Sequence, residues 1–260
     1  MNIFVFVKRV PDTESKIKVD NSKNQVIEEG LNFVLSPYYE YAVEEALKLR
    51  EAHGGKVTVL SVGSNETNVI LKKCLAMGAD EAVLIQDEKP ESYDAMRVGK
   101  IIAKLLKSKY TDYHLLLFGK QSMGADNGQV PAIVAELLSL PQVNVVTKLE
   151  VQGTKGMAHR EIEGASEKVE FDLPAVISAQ KGLNDPRYET LKGIMMAKKK
   201  EIPVISLQDL GLNEEEIAPQ MEVVKMDVPP PREVGKVIDD EPEEAAKKLV
   251  AFLREEAKVL

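Results

Sequence analysis

The sequence predicts an α/β fold: a doubly wound, mostly parallel sheet with an antiparallel extension and a C-terminal arm. Three observations carry this. Short continuous apolar runs recur, they alternate with amphipathic helical segments, and near residue 141 the alternation gives way to strand-like stretches separated by Gly and Pro. Parallel neighbours require a crossover, and the helix that makes it covers one face of the sheet.

The apolar runs are "IFVFV" (3–7), "VTVLSV" (57–62), "AVLI" (82–85) and "LLLF" (115–118), the composition of strands covered on both faces. Between them, "YEYAVEEALKLREA" gathers Tyr39, Val43, Ala46 and Leu47 on one side and most of its charges on the other. Two further helices are expected, "ETNVILKKCLAM" closed by Gly78 and "YDAMRVGKIIAKLLKS" capped by Ser92. Beyond 141, "VNVVTKLEVQ", "GMAHREIEG", "SEKVEFDL" and "PAVISAQ" read as extended, partly antiparallel strands. "NDPRYETLKGIMMAKKK" then reads as a turn and a short helix, and "SLQDLGL" as another short helix. Residues 213–241 carry Pro229, Pro230 and Pro231 in a row, which favours polyproline geometry and leaves an arm laid over another surface, followed by the helix "EPEEAAKKLVAFLREEA". No internal repeat is present.

Composition narrows the function. The 260 residues are 44% hydrophobic and 29% charged, as in an ordinary globule. The net charge of −8 argues against nucleic acid as a general partner, since phosphate binding needs a basic face. The start "MNIFVFVKRVPD" has no basic region ahead of an apolar stretch, and no apolar run approaches ~18 residues, so a cytoplasmic chain that is not itself membrane-embedded is expected. The single cysteine, Cys74, falls at helical spacing with Leu71 and Leu75 and is expected as a core thiol.

Sites of bond chemistry are not legible. His53, His114 and His159 are scattered and form no metal-spaced pair. There is no Gly-x-Ser-x-Gly elbow, no Walker loop, and no Gly-x-Gly-x-x-Gly after the first strand. What remains is the segment 119–130, between the "LLLF" strand and the helix after it. In doubly wound sheets ligands settle at the carboxyl ends of strands, and anions at the exposed amides of helix N-termini. Gly124 and Gly128 would let backbone approach a ligand, with Asp126, Asn127 and Gln129 offering polar side chains. On the residues alone, a nucleotide cradle and a plain strand-to-helix turn both fit.

Read in order, "VFVKRVPD", "YAVEEALKLRE", "CLAMGADEAVLI", the loop "GKQ" followed by Gln129, "REIEG…EKVEFDLPAVISA" and "LNDPRYETLKGIMMAKKKEIPV" make the chain resemble the electron transfer flavoprotein β subunit over nearly all of residues 1–211. The most specific parts are the last two. The resemblance implies a Rossmann-like domain of the adenine nucleotide alpha hydrolase type at 1–211, including a partner-docking loop at 184–200. It implies an arm and terminal helix at 212–260 packing on an α subunit.

It further implies a heterodimer in which the α subunit carries the redox FAD and this chain is an electron-carrier subunit, not an enzyme. AMP is expected in this chain, with a second FAD, in an electron-bifurcating NADH-oxidising complex, as the alternative. Electron donors would be dehydrogenases, acyl-CoA dehydrogenases of fatty acid oxidation foremost, and the acceptor a quinone-linked oxidoreductase. A stand-alone nucleotide-binding module of the universal-stress type shares the sheet but leaves the docking segment and the Pro-rich arm without a purpose.

Carried onto this chain, the nucleotide site comprises Phe6, Ser36, Pro37, Tyr38, Tyr39, Val62, and Ser122, Met123, Gly124, Ala125, Asp126, Asn127, Gly128, Gln129 and Val130, the loop thus becoming a cradle. Pro11, Asp12 and Thr13 match the segment that approaches the flavin. Docking falls to Arg187, Tyr188, Leu191, Ile194 and Met195, with Lys198, Lys199 and Lys200 steering acidic partners. Where the family usually has Asn-Pro-x-Asp or Asn-Pro-x-Cys ahead of the first helix this chain reads "SPYY", and the loop "GADNGQVP" is closer to the two-flavin pattern than to the acidic run of AMP-holding members but has Asn127 in place of its Thr.

Overall fold

The computed structural model describes residues 1–88, 94–232 and 234–260. They fall into two compact units, Met1–Met226 and Asp227–Leu260. In the first, β1 (Asn2–Phe6) is followed by four short strands, β2 (Arg9–Pro11), β3 (Val19–Asp20), β4 (Gln25–Val26) and β5 (Phe33–Leu35), that sequence patterning does not show. They pair locally, β2 with β5 and β3 with β4, both antiparallel. Then come α1 (Pro37–His53), β6 (Lys56–Gly63), α2 (Asn68–Met77), β7 (Glu81–Gln86), α3 (Ala95–Ser108), β8 (Leu115–Gly119) and α4 (Val130–Leu138). The chain continues through β9 (Gln142–Gln152), β10 (Lys155–Ile162), β11 (Ala165–Asp172), β12 (Ala175–Ala179), α5 (Leu191–Lys199) and β13 (Val204–Ser206).

Nine of the described strands form one sheet in the order β11-β10-β9-β12-β8-β1-β6-β7-β13. From β9 to β13 every neighbouring pair is parallel, and β10 and β11 add the antiparallel extension. The doubly wound α/β class is therefore the observed one. Two buried clusters flank the sheet: one joins Ile3, Val5, Val43, Leu47, Leu71 and Leu117, the other Phe4, Phe6, Ile101, Leu105, Phe118 and Val134. Alternate residues of β1 and β8 thus feed opposite faces, as period-two geometry requires.

Helix ends correct some expectations. The first helix starts at Pro37, because proline's fixed φ suits the first helical turn. Ser92, expected as the cap of the third helix, lies outside the described residues; the cap of α3 is Asp94, whose carboxylate accepts the Arg97 amide at 2.6 Å. "SLQDLGL" makes only a 3-10 turn at Gln208–Leu210, and β13, unforeseen, extends the sheet beside β7. Cys74 is buried in the core, and burial pushes its thiol up to about 12.

The first unit runs past residue 211. Ile217 is fully buried in the cluster on the α3 side, and Asp94 also accepts the amides of Gln220 and Met221. Arg97, with no exposed side-chain surface, fastens this stretch: it donates to Asp87 at 2.8 Å, to Glu214 at 2.9 Å and to the Ile217 carbonyl at 3.3 Å. The second unit holds α6 (Pro242–Ala251), which ends in one π turn, Phe252–Glu256. None of its described residues is buried, so it has no core of its own.

A cleft at the sheet edge and a mounted apolar patch

The cleft opens where the strand order turns back. β1 lies between β6, which continues the winding one way, and β8, which continues it the other, and ligands of doubly wound sheets settle outside such a point. Its walls come from Phe6 to Lys8 at the end of β1, Leu60 to Val62 of β6, Phe118 of β8, one face of α3, and the loop leading into α4. Its space, open solvent at the mouth included, is about 780 Å³.

Its floor is aromatic. The Phe6 and Phe118 rings stack at 4.8 Å between centroids, and Val98 and Ile102 of α3 line the same cleft. The loop over it depends on left-handed backbone: Gly124 has φ +91°, Gly128 +60° and Asp126 +49°. Gln121 Nε2 donates to the Asp126 carboxylate at 2.9 Å, and the Asp126 amide returns to the Ser122 carbonyl. The amides of Asn127, Gly128 and Gln129 have no acceptor among the described residues, and no side chain caps α4. An uncapped helix N-terminus carries partial positive charge and unspent donors, which suits a phosphate.

Of the residues expected here from the sequence, Phe6, Tyr39, Val62, Ser122, Ala125, Asn127, Gly128, Gln129 and Val130 all line this one cleft. Ser36, Pro37, Tyr38, Met123, Gly124 and Asp126 do not line it. The buried Ser36 hydroxyl accepts the Met123 amide at 3.2 Å, while its own amide donates to the Lys8 carbonyl at 3.0 Å, so it ties β1 to the loop. Tyr39 is buried against Gly119, where a Cβ would stand 2.8 Å from the Tyr39 ring and 2.9 Å from the Tyr38 carbonyl carbon. Pro11, Asp12 and Thr13 also lie off the cleft: Pro11 of β2 pairs with Phe33 of β5, and the Asp12 carboxylate accepts from the Glu14 amide and the Asn32 side chain. Sequence reasoning missed Lys8, Lys120, Gln121 and the α3 wall of Asp94, Ala95, Val98 and Ile102. For α3 no local signal exists, since only the crossover brings it there.

The segment 184–200 is apolar outside and pinned inside. Tyr188 is 92% exposed, Leu191 84% and Met195 65%, and Met196 is exposed beside them. Ile194 instead packs against the core. Arg187 does not face outward: its guanidinium holds both oxygens of Glu44, at 2.8 and 2.9 Å, and both of Glu51, at 2.6 and 3.2 Å. These carboxylates keep it above the ordinary arginine range. Asn184 donates to Glu45 at 2.9 Å and to the Tyr41 carbonyl at 3.0 Å; burial raises the Glu45 carboxyl, and Asn184 partly offsets this.

At the far end Lys200 donates to the carbonyls of Ala79 and Asp80, and Gly193 sits so close to the Ala76 carbonyl that a Cβ there would collide with it. Only Lys198 and Lys199 remain exposed at the end of α5. Among the described residues no three metal-binding side chains come together, and no helix is long and apolar enough to cross a membrane.

Comparisons with known proteins agree with this geometry. The model of the electron transfer flavoprotein domain matches residues 23–210. The chain is 42% identical to the electron transfer flavoprotein subunit beta of Bacillus subtilis strain 168, with 100% of each chain covered. It is 35% identical to the subunit of that name in Thermoanaerobacterium thermosaccharolyticum, over 97% of this chain and 98% of the relative. With the Mus musculus subunit it shares 34% identity over 100% and 99%. An extensive match at these levels, on a doubly wound sheet with a cleft at its switch point, is decisive: the chain belongs to the family of electron transfer flavoprotein β subunits.

Proposed function

We propose that this chain forms a heterodimer with an α subunit that holds the redox FAD at the interface, while its own cleft binds AMP and segment 184–200 docks electron donors. Membership of the family implies an α-subunit partner, flavin association, and electron carriage instead of catalysis by this subunit. The observation that most supports the AMP reading is the convergence in one cleft of a stacked aromatic floor with the free amides of Asn127, Gly128 and Gln129. The floor suits a purine and the amides suit a phosphate. Tyr39, buried against Gly119, fills space on the cleft wall that a second, larger cofactor would need, which favours AMP over FAD there.

The donors in this reading are dehydrogenases, acyl-CoA dehydrogenases of fatty acid oxidation first among them, and the acceptor is a quinone-linked oxidoreductase, with the dimer in the cytoplasm. Asp227–Leu260, lacking a buried core, reaches to the α subunit. The direct test is release and chromatography of the noncovalent nucleotides from the purified heterodimer. One FAD and one AMP are expected. Two FAD without AMP would establish the bifurcating alternative, and the absence of any adenosine compound beyond one FAD would end the cleft reading.

The docking patch has a separate test. An exposed leucine that becomes buried on contact contributes roughly 1.5–3 kcal/mol. Leu191→Ala is expected to leave the thermal midpoint unchanged and to lower kcat/KM with a donor dehydrogenase about tenfold or more. Unchanged kcat/KM with every donor tried would remove Leu191 from the contact.

A further inference from the structure

We propose that Lys8 is the counter-charge for the phosphate of the nucleotide in the cleft, a role that rests on reading the cleft as an adenylate site. Lys8 stands where β1 leaves the sheet, and its residue lines the cleft together with Phe6 and Val7. Its neighbour Arg9 is spent on the protein, with its guanidinium 3.4 Å from the Phe33 ring centroid and 3.5 Å from Glu28. Lys8 is not. Among the described residues its ammonium has neither an ion pair nor a hydrogen bond, and burial draws its pKa below the usual lysine range. The residue is part-buried, and an ammonium that has lost part of its water without gaining a protein partner is stabilised by an arriving anion.

The one carboxylate on the cleft wall does not supply the missing charge. Asp94 is already committed to three backbone amides, those of Arg97, Gln220 and Met221. The other cation on the wall, Lys120, lies 5.7 Å from the Tyr38 ring centroid. The cleft is therefore locally positive in a chain whose net charge is −8. The uncapped N-terminus of α4 adds the partial charge and open donors of its first turn. The Lys8 residue and the free amides of Asn127, Gly128 and Gln129 on the walls of one cleft suit an oxyanion, and on an adenylate that is the phosphate.

The test compares AMP with adenosine, which lacks the phosphate, on heterodimer stripped of its nucleotide. A charge-assisted contact of this kind contributes about 10- to 100-fold in affinity. Lys8→Met is expected to weaken AMP by that factor, to leave adenosine unchanged, and to be largely rescued in Lys8→Arg. Equal losses for AMP and adenosine, or none for either, would overturn the proposal, because Lys8 would then be only a wall. A second measurement needs no variant: the wild-type preference for AMP over adenosine should shrink as salt rises, and a salt-independent preference also overturns it. Failure of the wild type to bind either compound would overturn the adenylate reading as a whole.

Discussion

Arg97→Met is expected to destabilise the first unit by about 3–5 kcal/mol, the cost of leaving a buried carboxylate without its cation. Asp87 is 3% exposed and the Arg97 side chain is sealed from solvent, so water does not reach the contact. Burial opposes the charge on Arg97, but the hydrogen bonds to Asp87 and Glu214 outweigh it and hold the guanidinium above the ordinary arginine range. The same side chain supports the Ile217 carbonyl, so the loss should be local as well as global. Urea unfolding measures the first. Limited proteolysis measures the second, with new cleavage expected between residues 212 and 226 before the sheet unfolds. A change below about 1 kcal/mol without new cleavage would show that Arg97 is a passenger.

The second large effect is expected from Arg187→Ala. Glu44 is 5% exposed and loses both of its guanidinium contacts, while Glu51 is half exposed and recovers water. Because Arg187 itself is one-third exposed, the stability cost should be moderate, roughly 1–3 kcal/mol. The functional cost should be larger. Tyr188 stands just before α5 and Leu191 opens it, and the Arg187 fork holds this lead-in to α1 at five hydrogen bonds, the Arg187 amide included. Freed, the segment must be ordered anew at each encounter. KM for a donor dehydrogenase should rise at least tenfold with kcat little changed, and amide exchange at 188–196 should quicken. Arg187→Lys should rescue only part of this, since an ammonium cannot span two carboxylates as a planar fork does. An unchanged KM with faster exchange would separate the mounting of the patch from its use.

What could be read from the sequence divides by range. The strands 3–7, 57–62, 82–85 and 115–118 were legible within a residue or so because both their faces are buried, and continuous apolar runs follow from that. The strands β2 to β5 and β13 were not, since two or three residues hold too little pattern to show a strand. The loop 119–130 could be placed by its glycines and its position before a helix. Its partners could not: Ile102 and Val98 arrive only through the α3 crossover.

Charged residues were the hardest to read. Arg187 and Lys200 look like surface cations in the sequence, yet one grips Glu44 and Glu51 and the other two carbonyls, while Lys8, inside an apolar strand context, faces the cleft. Composition gives the sign of a side chain, and only the fold gives its address.

The helix Pro37–His53 has one further consequence. Its start, at Ser36 and Tyr39, helps build the cleft, and Glu44, Glu45 and Glu51 farther along the same rod seat the segment 184–200. At 1.5 Å per residue, Tyr39 and Glu51 stand about 18 Å apart along its axis. Under the proposed function this one stiff spacer acts as a ruler: it would set how far a visiting redox protein stands from the adenylate, with every visitor gripping the same fingertip held at the same reach.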